Sequence, residues 1–124
     1  MSAPAIHVRA GRAAKGVHHW WVQRVTSIAL IPLSIWFAVS MFALPAHDYY
    51  TVVAWLAQKW TAILMALFIA ISAWHSQLGV QIVLEDYVHG ASRAFWITVF
   101  RLAHSFIAFV AIFAVLRIGF RSLA

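Results

Sequence analysis

Long uninterrupted apolar runs dominate this chain, in place of the short amphipathic patterns of a water-soluble fold. Three of the runs reach the length of about 20 residues that a helix needs to cross a bilayer. They cover about 25–44, 60–84 and 95–116. The pattern predicts an all-α membrane protein with three transmembrane helices, built as a single transmembrane anchor domain over 1–124 with a short basic N-terminal segment, 1–20.

Features at the edges of the spans refine this outline. Pro32 lies inside the first span and removes a backbone donor, so a kink is expected, with the hydroxyl of Thr26 or Ser27 satisfying the freed carbonyl groups. A cleaved signal peptide is the alternative for this span, but the apolar run exceeds the usual length of about 7–15 residues. The leading segment 1–15 is expected to be flexible until a partner orders it. Gly90 is expected to cap a helix between the second and third spans.

Composition supports a membrane protein and excludes most soluble classes. Hydrophobic residues make up 65% of the chain and charged residues 10%, whereas soluble domains carry about 45–50% and about 25%. The absence of cysteine excludes disulfides, a thiol nucleophile and iron–sulfur ligation within this chain. The formal net charge of +6 indicates membrane topology and contact with anionic lipid headgroups, and not nucleic acid.

Basic residues are distributed unevenly between the two ends of the spans. Six fall on the side of the N-terminus: Arg9, Arg12, Lys15, Arg24, Arg93 and Arg101. Three fall on the other side: Lys59, Arg117 and Arg121. Because cytoplasmic loops are enriched in Lys and Arg, the N-terminus is predicted to be cytoplasmic and the C-terminus periplasmic.

The second span carries the densest set of polar residues, and polar groups within a membrane are first treated as functional. Steps of three or four residues place five positions on one helical face: Ser72, His75, Gly79, Ile82 and Asp86. With Asp86 at the cytoplasmic interface, His75 lies about 16 Å away along the helix axis, near the bilayer midplane.

His75 supports two interpretations. As an axial haem ligand it offers one ring nitrogen to iron, while Ser72 or the carbonyl of Ile71 holds the other. Gly79, one turn later, then leaves a notch for the flat macrocycle. As an ordinary intramembrane histidine it bonds to a polar group on a neighbouring helix, with Gly79 serving close packing. His104 in the third span is a second candidate ligand, with the same alternative.

Asp86 and Tyr87 form an acid–phenol pair at the membrane surface. Such a pair can bind a small polar headgroup such as that of a quinone, because the phenol donates a hydrogen bond and the carboxylate orients it or relays a proton. The alternative is a solvated helix end that offsets Arg93, with Tyr87 as an interfacial anchor.

Basic residues also cluster at the entrance to the first span. His18, His19 and Arg24 can bind anionic groups such as haem propionates; the alternative is contact with lipid phosphates. In the third span, Arg101 lies six residues after Phe95, close enough for its side chain to reach the interface.

Two segments carry a family resemblance. Residues 16–26, GVHHWWVQRVT, form the entrance to the first span. Residues 75–88, HSQLGVQIVLEDYV, end the second span and place histidine, glycine and the Asp-Tyr pair at the family's spacing. Together they resemble the small hydrophobic membrane anchor of succinate dehydrogenase (respiratory complex II), of the D-type.

The resemblance implies three helices packed against a second three-helix anchor, the C-type subunit, with one haem b between the two. It implies that His75 is an axial ligand of the haem iron, and that Tyr87 bonds a ubiquinone carbonyl beside Asp86. His18 and Arg24 match basic positions near the haem propionates and the quinone pocket.

The function implied is that of a membrane anchor in a succinate:quinone oxidoreductase, not catalytic by itself. Electrons reach the ubiquinone from an iron–sulfur subunit, and FAD and the iron–sulfur clusters belong to that subunit and a flavoprotein subunit. The expected location is the bacterial inner (cytoplasmic) membrane rather than the mitochondrial one. The alternatives are the anchor of a quinol:fumarate reductase, a stand-alone haem carrier that uses His75 and His104, and a non-redox membrane adaptor.

Overall fold

The computed structural model describes residues 4–121, with side chains for residue 11 and residues 14–121. This part of the chain is helical and contains no strand. Its helices are α1 (Pro4–Ala43), α2 (Tyr49–Leu56), α3 (Lys59–Tyr87) and α4 (Ala91–Gly119). Three segments are long and apolar enough to cross a membrane: Ala14–Ala43, Lys59–Tyr87 and Ala91–Gly119. The predicted all-α fold with three membrane spans is confirmed.

α1 extends well beyond its membrane span. It begins at Pro4, so the leading segment that was expected to be flexible is helical from that residue onward. The side chains of Arg9 and Arg12, which contribute to the predicted orientation, lie outside the described residues. The orientation of the two termini across the membrane stays a prediction from the charge pattern.

α1 runs through Pro32 without interruption. The hydroxyl of Thr26 bonds back to the carbonyl groups of Val22 and Gln23, and that of Ser27 bonds to Gln23 as well. Hydroxyls in helices usually bond carbonyls three or four residues earlier. Neither hydroxyl therefore serves the carbonyl that Pro32 leaves without a donor, and that part of the prediction was wrong.

The connection after α1 contains a helix, α2, that the polar pattern did not predict. Asp48 caps it by accepting hydrogen bonds from the backbone N–H of Thr51 at 3.0 Å and from the Thr51 hydroxyl at 2.9 Å. Both bonds favour the ionised carboxylate and hold the pKa of Asp48 below its ordinary value of 3.8. Trp55 stacks on Trp36 of α1, with ring centroids 5.8 Å apart. A side-chain cap and an aromatic contact together order this short segment.

α3 is the central helix and packs against each of the other three. Phe37, late in α1, stacks on Phe68 in the first half of α3 with ring centroids 5.3 Å apart. Thr26, earlier in α1, contacts His75 in the second half of α3. The two helices are therefore antiparallel, and the end of α3 lies beside the start of the first span.

α4 returns antiparallel along another side of α3. Its first half meets the second half of α3 at His104 and Ser76. Near its end, Gly119 lies directly against Ala62, which is 0% exposed. Within residues 4–121, α1 and α4 do not pack on each other. They leave a mainly apolar cleft of about 600 Å³ in front of α3.

A tight turn joins α3 to α4. α3 ends at Tyr87, and Val88 follows it with extended backbone. Gly90 has a φ of +78°, a conformation that glycine adopts readily and other residues rarely do. Gly90 was expected to cap the end of a helix; it instead immediately precedes α4, because the extended Val88 has already ended α3.

Few side chains are buried within the described chain. The buried apolar residues are Leu33, Ala62, Leu78 and Val115. Large apolar side chains on α1, α3 and α4 are exposed instead. Such an exterior suits contact with lipid and with other transmembrane helices, where no water-facing surface is required.

Candidate functional site

His75 of α3 is held by a residue of α1. Its Nδ1 lies 3.0 Å from the hydroxyl oxygen of Thr26, which is 49 residues away in the chain. Thr26 is only 9% exposed. Its hydroxyl oxygen also lies 2.8 Å from the carbonyl oxygen of Val22 and 3.0 Å from that of Gln23. The imidazole is thus fixed at the contact between α1 and α3.

The second ring nitrogen of His75, Nε2, has no hydrogen-bond partner in the part of the chain that the structure describes. Gly79 follows one turn later on the same face of α3. A β-carbon added at Gly79 would meet no atom of another residue within 4 Å. The helix surface beside the ring is therefore open to a group from outside the chain.

The haem interpretation gave the wrong partner for the far nitrogen of His75: Ser72 or the carbonyl of Ile71 was expected to hold it, but Thr26 does so. The alternative interpretation, a bond to a polar group on a neighbouring helix, is met at Nδ1. The reason is that α1 packs beside this face of α3 and brings a hydroxyl to the ring. Ser72 instead lines the cleft between α1 and α4, together with Ser76.

Asp86 and Tyr87 are the last two residues of α3. Tyr87 is 80% exposed and Asp86 is exposed as well. The neighbouring acid, Glu85, accepts a hydrogen bond from Gln81 at 2.8 Å, whereas neither Asp86 nor Tyr87 has a side-chain partner within residues 4–121. Their polar groups are available at the end of the helix, and any pocket around them needs walls from another chain.

The basic residues at the entrance to the first span point in different directions. His18 and Arg24 are both exposed and lie about 120° apart around α1. Arg24 places its guanidinium over Trp20, 5.3 Å from the ring centroid. His19 is the less exposed of the two adjacent histidines: its Nε2 is buried without a hydrogen-bond partner, as is Oε1 of Gln23 one turn later.

His19, Gln23 and Thr26 form a polar stripe on α1, and of these three only His19 was among the predicted site residues. Their spacing of four and three residues is that of one helical face, and this pattern was visible in the sequence. The pairing of Thr26 with His75 was not visible, since it depends on how α1 packs on α3. Buried polar atoms are nearly always paired, and Nε2 of His19 and Oε1 of Gln23 are exceptions that the chain's own atoms cover.

His104 of α4 has different surroundings. Its Nδ1 lies 2.8 Å from the carbonyl oxygen of Phe100, and its Nε2 lies 3.2 Å from the hydroxyl oxygen of Ser76 in α3. Because a carbonyl oxygen only accepts, Nδ1 of the neutral ring carries the proton and Nε2 accepts from the serine. Both nitrogens are used, so the interhelical hydrogen bond given above as the alternative for His104 is what the structure contains.

Comparison with known proteins assigns the family. The model of the family described as the succinate dehydrogenase/fumarate reductase transmembrane subunit matches residues 4–116. The chain belongs to this family. The match extends over all three spans, so the resemblance carried by residues 16–26 and 75–88 is confirmed, and the chain is a multi-pass membrane protein.

Curated relatives carry consistent names. The chain is 33% identical over 79 residues to the succinate dehydrogenase hydrophobic membrane anchor subunit of Rickettsia conorii, with 63% of each chain covered. It is 34% identical over 83 residues to the succinate dehydrogenase membrane anchor subunit of Reclinomonas americana, with 64% of this chain and 68% of that one covered. Against the Paracoccus denitrificans anchor subunit, identity is 26% over 83 residues, with 67% and 64% covered.

The matched region spans less than two thirds of the length of the Rickettsia relatives. No solved structure matches the chain significantly.

Proposed function

We propose that the chain is the membrane anchor subunit of a succinate:quinone oxidoreductase, and that with a C-type anchor it binds haem b and forms the ubiquinone-reduction site. One observation carries the proposal. His75 is fixed at Nδ1 and open at Nε2, on the same helical face as Gly79 and Asp86. Membership of the family indicates the class of complex to which such a histidine would belong.

The residues present fit an axial haem ligand. Such a site takes one imidazole nitrogen from a helix, while the second nitrogen donates to a nearby acceptor. His75 meets both conditions, and Gly79 adds no side chain one turn away. No cluster of three or more His, Asp or Glu side chains exists among the described residues, and an axial site needs only one. When bound, haem supplies a one-electron store near the quinone.

The second axial ligand would come from the C-type anchor. His104, the other intramembrane histidine, has both nitrogens engaged within the chain. Nε2 of His75 and the open surface at Gly79 lie on one face of α3, so the partner anchor would cover this face. We place His18 and Arg24 near the haem propionates or the quinone pocket at the same end.

Tyr87 and Asp86 would act on the quinone headgroup. The phenol of Tyr87 donates a hydrogen bond to a quinone carbonyl, and this bond strengthens as the oxygen becomes more negative on reduction. Asp86, exposed at the end of α3, orients the phenol or passes on a proton from the aqueous side. Two electrons from the iron–sulfur subunit and two protons convert the quinone to the quinol.

The remaining subunits would carry the chemistry that this chain lacks. Succinate oxidation at FAD and transfer through iron–sulfur clusters belong to the flavoprotein and iron–sulfur subunits, since this chain has no cysteine. These subunits dock on the cytoplasmic side of a bacterial inner membrane, where the charge pattern puts the N-terminus. A second candidate is the anchor of a quinol:fumarate reductase, because the family description covers both enzymes.

The quinone role is tested with Tyr87→Phe in the purified complex. Loss of the phenol donor is expected to lower ubiquinone reduction at least about tenfold, while succinate oxidation with a soluble dye acceptor is retained. Tyr49→Phe is the matched control, because Tyr49 is also exposed but lies at the opposite end of the helices. Unchanged ubiquinone kinetics in Tyr87→Phe would remove Tyr87 from the site, and absence of succinate oxidation from the wild-type particle would favour the adaptor class.

A further inference from the structure

We propose that Thr26 is the positioning residue for His75: its hydroxyl oxygen accepts the Nδ1 proton and thereby selects the tautomer whose Nε2 is free to bind iron. This inference rests on the proposed function, in which His75 is the haem ligand. It concerns only residues of this chain and the hydrogen bond between them.

The positions of the neighbouring oxygens fix where the Thr26 proton lies. The hydroxyl oxygen has carbonyl oxygens at 2.8 Å and 3.0 Å, from Val22 and Gln23, and Nδ1 of His75 at 3.0 Å. If the single hydroxyl proton pointed at Nδ1, no proton would lie between the Thr26 oxygen and either carbonyl oxygen, although both carbonyl oxygens are within hydrogen-bonding distance. That arrangement is repulsive, so the proton lies on the carbonyl side and a lone pair of Thr26 faces the ring.

The ring proton is assigned by the same argument. A lone pair of Thr26 can face Nδ1 favourably only when Nδ1 carries a proton. A neutral imidazole has one ring proton, so Nε2 keeps its lone pair. Metal-bound histidines commonly show this arrangement, in which an acceptor on the far nitrogen fixes the tautomer and ring orientation and raises the basicity of the ligand.

The surroundings make the bond difficult to replace. Thr26 is 9% exposed, so water has little access to its hydroxyl. Within a membrane span an unpaired N–H has no solvent to bond to. The hydroxyl is also anchored to the α1 backbone by its own hydrogen bonds, which limits rotation of the side chain and keeps the acceptor directed at His75.

Ser27 provides a matched control on the same helix. Its hydroxyl bonds the same Gln23 carbonyl, at 2.8 Å, but makes no hydrogen bond to His75. Thr26→Val removes the acceptor with almost no change in shape, whereas Thr26→Ser keeps it. Comparison of these two variants with Ser27→Ala separates loss of the hydrogen bond to the ring from loss of a hydroxyl bonded to the backbone.

The experiment measures haem affinity and reduction potential in the purified complex. Thr26→Val is expected to bind haem about 10–100-fold more weakly, and to show a more positive potential because the ligand donates less electron density to ferric iron. Thr26→Ser and Ser27→Ala are expected to match the wild type in both quantities. Wild-type affinity and potential in Thr26→Val would overturn the inference.

Two further measurements separate this inference from the proposed function. If His75→Ala keeps its haem, ligation by His75 itself fails; if it loses haem while Thr26→Val is unaffected, only the role of Thr26 fails. Should Thr26→Val not assemble, ¹⁵N-histidine NMR of the haem-free wild-type complex reads the tautomer directly, with the His75 signal identified by comparison with His75→Gln. A proton on Nδ1 supports the inference, and a proton on Nε2 contradicts it.

Discussion

His75 and His104 both lie at contacts between membrane helices, but they differ in whether both ring nitrogens have a partner. In His104, Nδ1 bonds the Phe100 carbonyl and Nε2 bonds Ser76. His75 uses Nδ1 for Thr26 and leaves Nε2 without a partner among the described residues. The comparison shows that residue type and depth in the membrane do not by themselves mark a ligand. Both rings join helices, and the difference is that His75 also keeps one ring nitrogen free to bind a metal.

The helix contacts around these two histidines differ in the same way, since one is complete within the chain and the other is not. The α3–α4 contact is closed within the chain, with Gly119 directly against Ala62 and a histidine–serine bond between the helices. At the α1–α3 contact, Nε2 of His75 has no partner among the described residues, and the surface at Gly79 beside it is open. The first contact is closed within the chain, and the second borders a surface that another group can cover.

The largest predicted effect is a contrast between alanine variants at the two histidines. His75→Ala is expected to abolish haem binding in the purified complex, because it removes the imidazole nitrogen that lies free on the Gly79 face of α3. His104→Ala is expected to retain haem, because its ring is already engaged. Haem per complex, measured by pyridine haemochrome, checks both. Retained haem in His75→Ala, or lost haem in His104→Ala, would contradict the assignment of His75 as the haem ligand.

A smaller effect is expected from filling the notch at Gly79. Gly79→Leu adds a side chain where the described chain leaves open space, so the fold of this chain should be unaffected. Overpacking against a bound group costs about 1–3 kcal/mol, which corresponds to haem binding that is about 5- to 140-fold weaker. Haem titration of the complex measures this.

Gly16→Leu serves as the control for Gly79→Leu. Gly16 has equally open surroundings but lies on α1, before the polar stripe. Equal haem affinity in the two leucine variants would show that the surface beside His75 is not a haem contact.

A still smaller effect is expected at the His104 contact. Ser76→Ala removes the interhelical bond at 3.2 Å, and such bonds contribute about 0.6 kcal/mol on average between membrane helices. Unfolding of the complex in mixed detergent micelles should show a loss of that order, with haem content unchanged. A loss of haem in Ser76→Ala would place the His104 contact in the site.

The smallest effect lies far from either histidine, at the cap of α2. The pKa of Asp48 is below its ordinary value of 3.8, so its stabilisation of α2 is fully present above that value and is lost as the pH falls through the lower folded pKa. The amide signal of Thr51 is expected to titrate with a midpoint below 3.8. Asp48→Asn should abolish that titration while keeping a capping side chain. A midpoint at or above the ordinary value would contradict the cap.

The sequence predicts most of the fold because long apolar runs dictate transmembrane helices. It fails at α2, where a capping bond from Asp48 to Thr51 and stacking between Trp55 and Trp36 order a short segment. The candidate site residues could be named from spacing and family resemblance. Thr26 could not, because its role depends on a contact between helices that are far apart in the chain.

The proposed function is tested most directly by a reduced-minus-oxidised spectrum of the membrane complex purified through this chain, with its subunits counted from the same preparation. A b-type haem band in a particle of four different subunits is expected. The same four subunits without a haem band would contradict haem ligation by His75. A chain without haem and without partners would contradict the assignment to a succinate:quinone oxidoreductase.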